Sequence, residues 1–296
     1  MCEAYDNRPI GVFDSGLGGL TSVRALGNVL PGEDIIYFGD TGRVPYGTRS
    51  RETIIKYSVD DLAFLVRQNV KAVLIACGTV SSIALDTLST MTDIPVVGVV
   101  SPACRKACEL ALCKNGGISG NIAVLGTQAT AKNGAYAAQI HLQNPGFNVM
   151  TVACPMFVPL VENGYIDREN PITFEIACEY IQKLSDFRPS CIILGCTHYP
   201  IIRENIERAC EKILGYRPGI VDAGGCAAQA IAEKLKEKNQ LSDRDESGKS
   251  HFFVSDEIQN FAEIASRFLG RKIENVTRID ITGQKPEEVL KFEVSE

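Results

Sequence analysis

The stretch AVLIACGTVSS, residues 72–82, decides the fold, because a short apolar run ends in Cys77 and then passes into small and hydroxyl residues. Residues 191–200, CIILGCTHYP, repeat this design around Cys196. Short runs of branched apolar residues are typical of buried strands in a parallel sheet, and small or hydroxyl residues after them favour the start of a helix. Ligands of open α/β sheets bind at the carboxyl ends of the strands. Both thiols are therefore expected where chemistry takes place.

Further runs of the same kind alternate with helical patterns along the chain. Together the predicted strands are residues 10–14, 34–40, 72–77, 96–100, 122–126, 149–154, 191–196, 219–223 and 251–255. Residues 49–68 and 257–270 carry apolar residues at helical spacing, and Gly270 could end the second helix as a C-cap. This alternation predicts an α/β fold with a mainly parallel sheet.

The spacing of the strands indicates a weak internal repeat. Three predicted strands in each half end at similar intervals, at Asp14, Asp40 and Cys77 and then at Gly126, Cys154 and Cys196. A repeat predicts two pseudo-symmetric lobes, each a mainly parallel sheet flanked by helices, with the active site in the cleft between them. The alternative is coincidence, since most βα units have about this length.

Composition excludes several classes of protein. The chain has 296 residues, of which 45% are hydrophobic and 22% charged, so it can bury a large core. The net charge is −6 and no dense run of Lys and Arg occurs, so we expect no nucleic-acid partner. Neither a secretory signal nor an apolar run of about 20 residues is present, which predicts a protein without membrane contact.

The cysteines favour a cytoplasmic location. There are 11 of them, with no export signal, and this combination is typical of free thiols in a reducing compartment. No C-x-x-C motif occurs, so we expect no metal. Most of these thiols are interpreted as small core residues, among them Cys178, Cys191 and Cys210.

The paired cysteines suggest proton transfer. A thiolate is the reactive form of cysteine, and the start of a helix favours it. One such residue would suggest a nucleophile, but two in matching places suggest an acid and a base on opposite faces of one carbon atom, which inverts a stereocentre. The alternative is that both are core thiols.

Other residues at strand ends could assist. Asp14 lies in FDSGLGG, residues 13–19, where its carboxylate could hold a thiol or a substrate ammonium group and the glycines could expose N–H groups to an anion. The same glycines resemble an incomplete dinucleotide fingerprint, with Asp40 in the place of a ribose-binding acid. In the polar loop 39–50, Tyr46 and Gly47 could donate hydrogen bonds to a carboxylate.

His198 lies two residues after Cys196 in a chain with three histidines. This proximity indicates a residue that tunes the thiol, although a lone histidine is more often structural. Glu162, in FVPLVENG at residues 157–164, is by itself a helix-end acid.

The motifs DSGLGG, GDTGRVPYG, ACGT, LGTQAT, PLVENG and GCTHYP together resemble the bacterial glutamate racemase family over residues 10–270. The resemblance implies a cofactor-independent racemase that makes D-glutamate for peptidoglycan, and it implies a homodimer. In this family pattern Cys77 and Cys196 are the two bases, Asp14 assists Cys77, and Glu162 and His198 assist Cys196. The implied substrate contacts are Asp14, Ser15, Tyr46, Gly47, Gly78, Thr79, Thr127, Thr197 and His198. The implied lobes are residues 1–100 with 215–296, and residues 101–214.

One departure from the family pattern concerns the substrate. The residue after the first cysteine is Gly78, where the family usually has Asn, so an amide that could bind the substrate is absent. Another acidic amino acid such as aspartate is therefore an alternative substrate. A dinucleotide-dependent oxidoreductase and a non-enzymatic protein that binds small acids are alternatives from other functional classes.

Overall fold

The protein is described by a computed structural model that covers residues 5–117, 120–244, 246–256, 261–273 and 275–292. The chain divides into two compact units, Met1–Val99 with Ala227–Glu296 and Val100–Cys226. Each contains a parallel sheet flanked by helices, so the α/β fold predicted from the sequence is confirmed.

The strands in chain order are β1 Ile10–Asp14, β2 Ile35–Gly39, β3 Ala72–Ile75, β4 Val96–Gly98, β5 Asn121–Gly126, β6 Asn148–Ala153, β7 Cys191–Leu194, β8 Gly219–Asp222, β9 Ser250–Val254 and β10 Val276–Arg278. All nine predicted strands are confirmed, most with ends one or two residues shorter than predicted. The prediction lacks β10, because a run of only three residues with two exposed side chains gives no apolar pattern.

The helices in chain order are α1 Leu20–Val29, α2 Arg51–Arg67, α3 Gly78–Ile83, α4 Leu85–Thr90, α5 Val100–Lys114, α6 Gln128–Asn133, α7 Ala135–Gln143, α8 Phe157–Glu162, α9 Pro171–Gln182, α10 Arg203–Leu214, α11 Ala223–Glu237 and α12 Phe261–Leu269. The prediction of a helix over 49–68 is confirmed by α2. Of the helix predicted over 257–270, residues 257–260 lie outside the described residues. Gly270 ends α12 with a φ of 75°, which glycine adopts without steric cost.

The two sheets share one strand order. The first is β10-β9-β2-β1-β3-β4 and the second is β6-β5-β7-β8. Every pairing in both sheets is parallel. The first four strands of each unit are thus arranged second, first, third, fourth. The structure confirms the internal repeat suggested by the strand intervals, and it makes β3 and β7 equivalent.

The boundary predicted between residues 214 and 215 puts the strand at 219–222 in the first lobe, and the structure corrects this. The main chain of β8 pairs with β7, from Cys191 opposite Gly219 to Leu194 opposite Asp222. The strand therefore belongs to the second sheet. Apolar content does not reveal this, because any buried strand has the same composition whichever sheet it joins.

The core of the first unit holds the sheet and α2 together. All residues of β1, β2 and β3 are buried, and Phe38 on β2 packs against Phe64 on α2 with ring centroids 4.9 Å apart. Truncating a buried phenylalanine such as Phe64 to alanine costs about 3–5 kcal/mol. The Ser50 side chain caps α2 by accepting a hydrogen bond from the N–H of Thr53, worth about 1 kcal/mol. These contacts hold the carboxyl ends of the strands in fixed positions.

Within the part of the chain that the structure describes, we find no helix that combines the length and the apolar character needed to cross a bilayer.

Candidate active site

The first group of candidate residues, here called the Cys77 cluster, consists of Asp14, Ser15 and Cys77. Strand β1 lies between β2 and β3, with Phe13 opposite Ile75, so Asp14 at the end of β1 and Cys77 just after β3 lie at the same edge of the sheet. Cys77 is the N-cap of α3, and its sulfur lies 3.4 Å from the Ser15 hydroxyl. The structure therefore brings together three residues predicted from the sequence.

A turn built on glycine holds the Asp14 carboxylate. Its Oδ2 accepts a hydrogen bond of 2.9 Å from the N–H of Gly19, and the residue is buried. A Cβ on Gly19 would lie 2.5 Å from the Cβ of Asp14 and 3.0 Å from that of Ala76. Any larger residue at position 19 would push the carboxylate away from this place.

The environment of Cys77 keeps its proton in place. Burial, followed by the negative charge of Asp14, raises the pKa of the Cys77 thiol to about 12. The Ser15 side chain and the main-chain N–H groups of Ser15 and Val80 oppose this shift, but they are weaker. At neutral pH Cys77 is therefore a neutral thiol.

The Tyr46 side chain is held inside the first unit. Its ring is buried, and its hydroxyl contacts the carboxylates of Asp40 and Asp61, at 3.0 Å in the case of Asp61. The side chain is thus used inside the first unit, which leaves the main-chain N–H as the group that Tyr46 could offer a ligand. Contact of Tyr46 and Gly47 with a substrate stays a prediction.

The structure argues against the dinucleotide-binding alternative, because the Asp40 carboxylate is already bound within the protein. Asp40 would have to hold a ribose, but its Oδ1 accepts a hydrogen bond of 2.7 Å from Ser255 and its Oδ2 binds Arg43 at 2.6 Å. Its side chain has no exposed surface. The glycine-rich turn instead donates a hydrogen bond from Gly19 to the Asp14 carboxylate, so this region is not a nucleotide fingerprint.

The second group, here called the Cys196 cluster, consists of Glu162, Cys196, Thr197 and His198. The sulfur of Cys196 lies 3.8 Å from Nδ1 of His198, and the Thr197 hydroxyl lies 3.3 Å from the same nitrogen. On the other side of the ring, Nε2 lies 3.1 Å from Oε1 of Glu162. The carboxylate can accept a hydrogen bond from the Nε2–H group, which orients the ring with Nδ1 toward the sulfur.

The cluster holds His198 in its charged form. Burial alone would lower the pKa of the imidazole, but hydrogen bonds to Cys196 and Glu162 and the negative charges of both outweigh it and raise the pKa to about 10. His198 is therefore an imidazolium at neutral pH. Its positive charge attracts a negative charge on the nearby sulfur.

Aromatic packing positions Glu162 relative to His198. Phe157, the first residue of α8, packs edge-on against Tyr199, with ring centroids 5.1 Å apart, and against Tyr180, at 5.0 Å. The Tyr199 hydroxyl donates a hydrogen bond of 2.9 Å to the carbonyl of Cys154. Tyr199 directly follows His198, so this contact ties α8 and the His198 turn to the end of β6.

The remaining predicted residues occupy the starts of helices. Gly78 and Thr79 are the first two residues of α3, directly after Cys77, and both are buried. Thr127 caps α6 by accepting a hydrogen bond of 3.3 Å from the N–H of Thr130. A substrate role for these three residues stays a prediction.

Sequence reasoning did not identify a group of charged residues that joins the loop after β2 to helix α2. Arg43, Asp60 and Asp61 form ion pairs there, and Asp61 is fully buried. One signal was available, because Ile54, Asp61 and Leu65 all lie on the buried face of α2. A carboxylate at a core position of an amphipathic helix marks a specific buried partner.

The three cysteines predicted by name to be core thiols are confirmed as buried. Cys178, Cys191 and Cys210 are buried, and burial raises the pKa of each. All ten cysteines in the described residues are free thiols.

Comparison with known proteins places this geometry in a family. The sequence model of the Asp/Glu/hydantoin racemase family matches residues 21–231. The glutamate racemase of Geobacter metallireducens is 40% identical over 278 residues, which is 94% of this chain and 98% of the relative. That of Chlorobaculum tepidum is 42% identical over 275 residues, covering 93% of this chain and 97% of the relative.

A solved structure of similar shape supports the same assignment. The glutamate racemase of Francisella tularensis, crystallised in complex with D-glutamate, has a TM-score of 0.83 and 38% sequence identity, covering 94% of this chain and all of that one. The family match spans most of the chain and the relatives match it almost end to end. The chain therefore belongs to the Asp/Glu/hydantoin racemase family.

Proposed function

We propose that this chain interconverts L- and D-glutamate, with Cys77 and Cys196 as the two groups that move the α-proton. The single observation that carries the proposal is the equivalence of the two thiols. Each follows the third strand of its unit, and the two sheets have the same strand order. Relatives about 40% identical over nearly their whole length are glutamate racemases, which supports glutamate as the substrate.

The reaction needs one base and one acid on opposite faces of the α-carbon. One cysteine, as a thiolate, takes the α-proton, and the electron pair of the broken C–H bond remains on the substrate as a carbanion. The other cysteine, as a thiol, gives its proton to the opposite face. After one turnover the protonation states of the two sulfurs are exchanged, and the reverse reaction begins from that state.

The surroundings of each sulfur suit these steps. Burial and Asp14 keep Cys77 protonated at neutral pH, so it can act as the acid. The imidazolium of His198 attracts the negative charge that Cys196 carries as a thiolate, the form in which that residue acts as the base. Glu162 keeps His198 charged and oriented. None of these steps requires a group other than the chain's own side chains, and we propose that the enzyme uses no cofactor and no metal.

The α-proton of an amino acid is weakly acidic, so the carbanion must be stabilised. Hydrogen-bond donors aimed at the substrate carboxylates do this best where water is excluded. The family pattern assigns this role to Ser15, Gly47, Thr79, Thr127 and Thr197, and to the other substrate contacts given above. We propose that these donors hold glutamate.

We also propose a cytoplasmic homodimer that supplies D-glutamate for peptidoglycan. Free thiols throughout the described residues suit a reducing compartment. Light scattering after size-exclusion chromatography measures the mass in solution, and a mass equal to one chain would exclude the dimer.

The proposal is tested by solvent isotope incorporation. L-glutamate incubated in ²H₂O with the reduced enzyme is expected to yield D-glutamate that carries deuterium at the α-carbon, measured by mass spectrometry and circular dichroism. L-aspartate under the same conditions is the matched control for the substrate. Inversion without deuterium would exclude proton exchange, and faster turnover of aspartate would assign the enzyme a different substrate.

A further inference from the structure

A half-buried cation lies within the loop that follows β2. The Arg43 guanidinium forms ion pairs with three carboxylates: Asp40 at 2.6 Å, Asp60 at 2.7 Å and Asp61 at 2.8 Å. Its side chain is 19% exposed, while those of Asp40 and Asp61 are fully buried. Each of the three guanidinium nitrogens makes one charge-assisted contact at these distances, so the position of Arg43 is strongly determined.

Two tyrosines complete the group. The guanidinium carbon of Arg43 lies 4.3 Å from the centre of the Tyr57 ring, within the range of a cation–π contact. The Tyr46 hydroxyl contacts Asp40 and Asp61, and its ring lies 5.6 Å from that of Tyr57. Arg43 and Tyr46 thus tie both ends of the segment 43–46 to the same carboxylates.

The other side of the loop is attached to the residues after β9. Ser255 donates a hydrogen bond of 2.7 Å to Asp40 and accepts one of 2.8 Å from the N–H of Gly42. The Thr41 hydroxyl donates a hydrogen bond of 2.6 Å to the carbonyl of Asp256. The loop is therefore held at its start by Ser255 and in its middle by Arg43.

This loop contacts the Cys77 cluster and the residues that directly follow its members at three places. The N–H of Asp40 donates a hydrogen bond of 3.0 Å to the carbonyl of Asp14. A Cβ on Gly16 would lie 3.4 Å from the side chain of Val44, so the loop lies directly against the turn after Asp14. The 3₁₀ turn Tyr46–Thr48 packs against α3, the helix that begins directly after Cys77.

We propose that Arg43 is a positioning residue for racemisation, because it fixes the 3₁₀ turn Tyr46–Thr48 against α3 and so sets where the main-chain N–H groups of that turn meet a substrate carboxylate. This inference rests on the proposed function. Arg43 itself does not touch the substrate; it acts through Tyr46 and Gly47.

The charge of the group explains why arginine is needed. Asp40, Asp60 and Asp61 would carry three negative charges in a small, mostly buried volume, and one cation must hold them together. Burial and the charge of Asp40 raise the pKa of Asp61 well above its usual value, and the positive charge of Arg43 opposes this shift. A lysine would supply the charge but not the planar fork or the stacking on Tyr57.

The test compares Arg43→Gln and Arg43→Lys with a matched control, Arg67→Gln. Arg67, on the surface of the first unit, likewise bonds to three groups, Gln284, Lys285 and Glu288, away from the loop. For Arg43→Gln we expect kcat/KM for glutamate to fall about 10- to 100-fold, as for a reacting group displaced by about 1 Å, with most of the change in KM. Arg43→Lys is expected to recover part of this loss, and Arg67→Gln is expected to keep the wild-type KM.

Hydrogen–deuterium exchange of the peptide covering residues 40–50 is measured on the same proteins. Faster exchange in Arg43→Gln but not in Arg67→Gln, together with the rise in KM, would support the inference. An unchanged KM in Arg43→Gln would overturn it, whether or not exchange becomes faster. An equal rise in KM in Arg67→Gln would also overturn it, because the effect would then be general destabilisation. Failure of the proposed function is a separate result, since the wild-type enzyme itself would not turn over glutamate.

Discussion

The Cys77 and Cys196 clusters occupy equivalent places in two sheets of the same strand order, yet they surround sulfur with opposite charges. Cys77 is buried beside the Asp14 carboxylate and the Ser15 hydroxyl, whereas Cys196 is half-buried beside the His198 imidazolium. The first setting favours a neutral thiol, because burial and Asp14 raise the pKa of Cys77, and the second places a cation beside the sulfur. A repeated fold thus provides matched positions, and the side chains around them decide which charge each sulfur meets.

This asymmetry has a limit set by thermodynamics. L- and D-glutamate have equal free energies in water, so kcat/KM must be the same in both directions at equilibrium. The different surroundings of Cys77 and Cys196 can therefore change kcat and KM separately, and the reactivity of each thiol, but not the ratio of the two specificity constants. Tests of the comparison must measure the two sulfurs individually.

The largest effect is expected from replacing either sulfur. Cys77→Ser and Cys196→Ser should each lower racemisation by about 10²- to 10⁴-fold, since a serine hydroxyl is a poor base and removes one general acid–base group. Each variant keeps one sulfur. That sulfur can remove the α-proton of the enantiomer whose C–H bond faces it and return a proton to the same face. We expect deuterium exchange without inversion, for one enantiomer in Cys77→Ser and for the other in Cys196→Ser.

The matched control for both substitutions is Cys113→Ser, which changes an exposed thiol on α5. It should leave turnover unchanged. If both cysteine variants exchange the same enantiomer, the two thiols do not serve opposite faces and the comparison between them fails.

A smaller effect is expected in thiol alkylation, which separates the two clusters directly. With iodoacetamide near neutral pH, Cys77 should react about 10²- to 10³-fold more slowly than the exposed Cys113, because only the thiolate reacts and the pKa of Cys77 is raised to about 12. Cys196 should react faster than Cys77, and His198→Asn should remove most of this advantage. Peptide mass spectrometry measures all three thiols in one sample.

The faster alkylation of Cys196 should be lost at high pH. The pKa of His198 is raised to about 10, so the imidazolium is present throughout the neutral range and is lost as the pH rises through about 10. Alkylation of Cys196 relative to Cys113 should therefore fall above that pH. A ratio that stays constant from pH 7 to 11, or one that is equal in wild type and His198→Asn, would show that the imidazolium does not act on this sulfur.

The smallest effect concerns the residues that follow the two cysteines. Cys196 is followed by Thr197, a side chain with a hydroxyl, whereas Cys77 is followed by Gly78, which has no side-chain donor. Gly78→Asn adds an amide at the start of α3 and should lower KM for glutamate about threefold, the effect of a hydrogen bond worth about 0.7 kcal/mol. Gly78→Ala is the control, since it adds a side chain without a donor. A KM for Gly78→Asn no lower than that for Gly78→Ala would show that this position offers no donor to the substrate.

Much of the fold could be predicted from local patterns. Strands such as Ile10–Asp14 and Cys191–Leu194 are short apolar runs between polar turns, and burial of both faces of a parallel sheet requires that composition. Placing Cys77 and Cys196 at strand ends followed from the same patterns. Local patterns do not report which strands pair, so the position of β8 beside β7 could not be derived.

The partners of single side chains were harder to predict. The sequence did not indicate that the Tyr46 hydroxyl turns inward to Asp40 and Asp61. Asp61 lies 15 residues from Tyr46 along the chain, and only the packing of α2 against the sheet brings them into contact. The Arg43 ion pairs were missed for the same reason.

By itself, the sequence determined the strands, the helices and the two cysteines at the ends of equivalent strands, because these depend on the periodicity of apolar residues over a few turns of chain. Only the tertiary structure decided that Asp14 and Ser15 lie near the sulfur of Cys77, whereas His198, which Glu162 orients, lies near the sulfur of Cys196. Charge on a buried thiol depends on burial and on neighbours a few ångströms away, and those distances exist only after the strands have paired and the helices have packed on them.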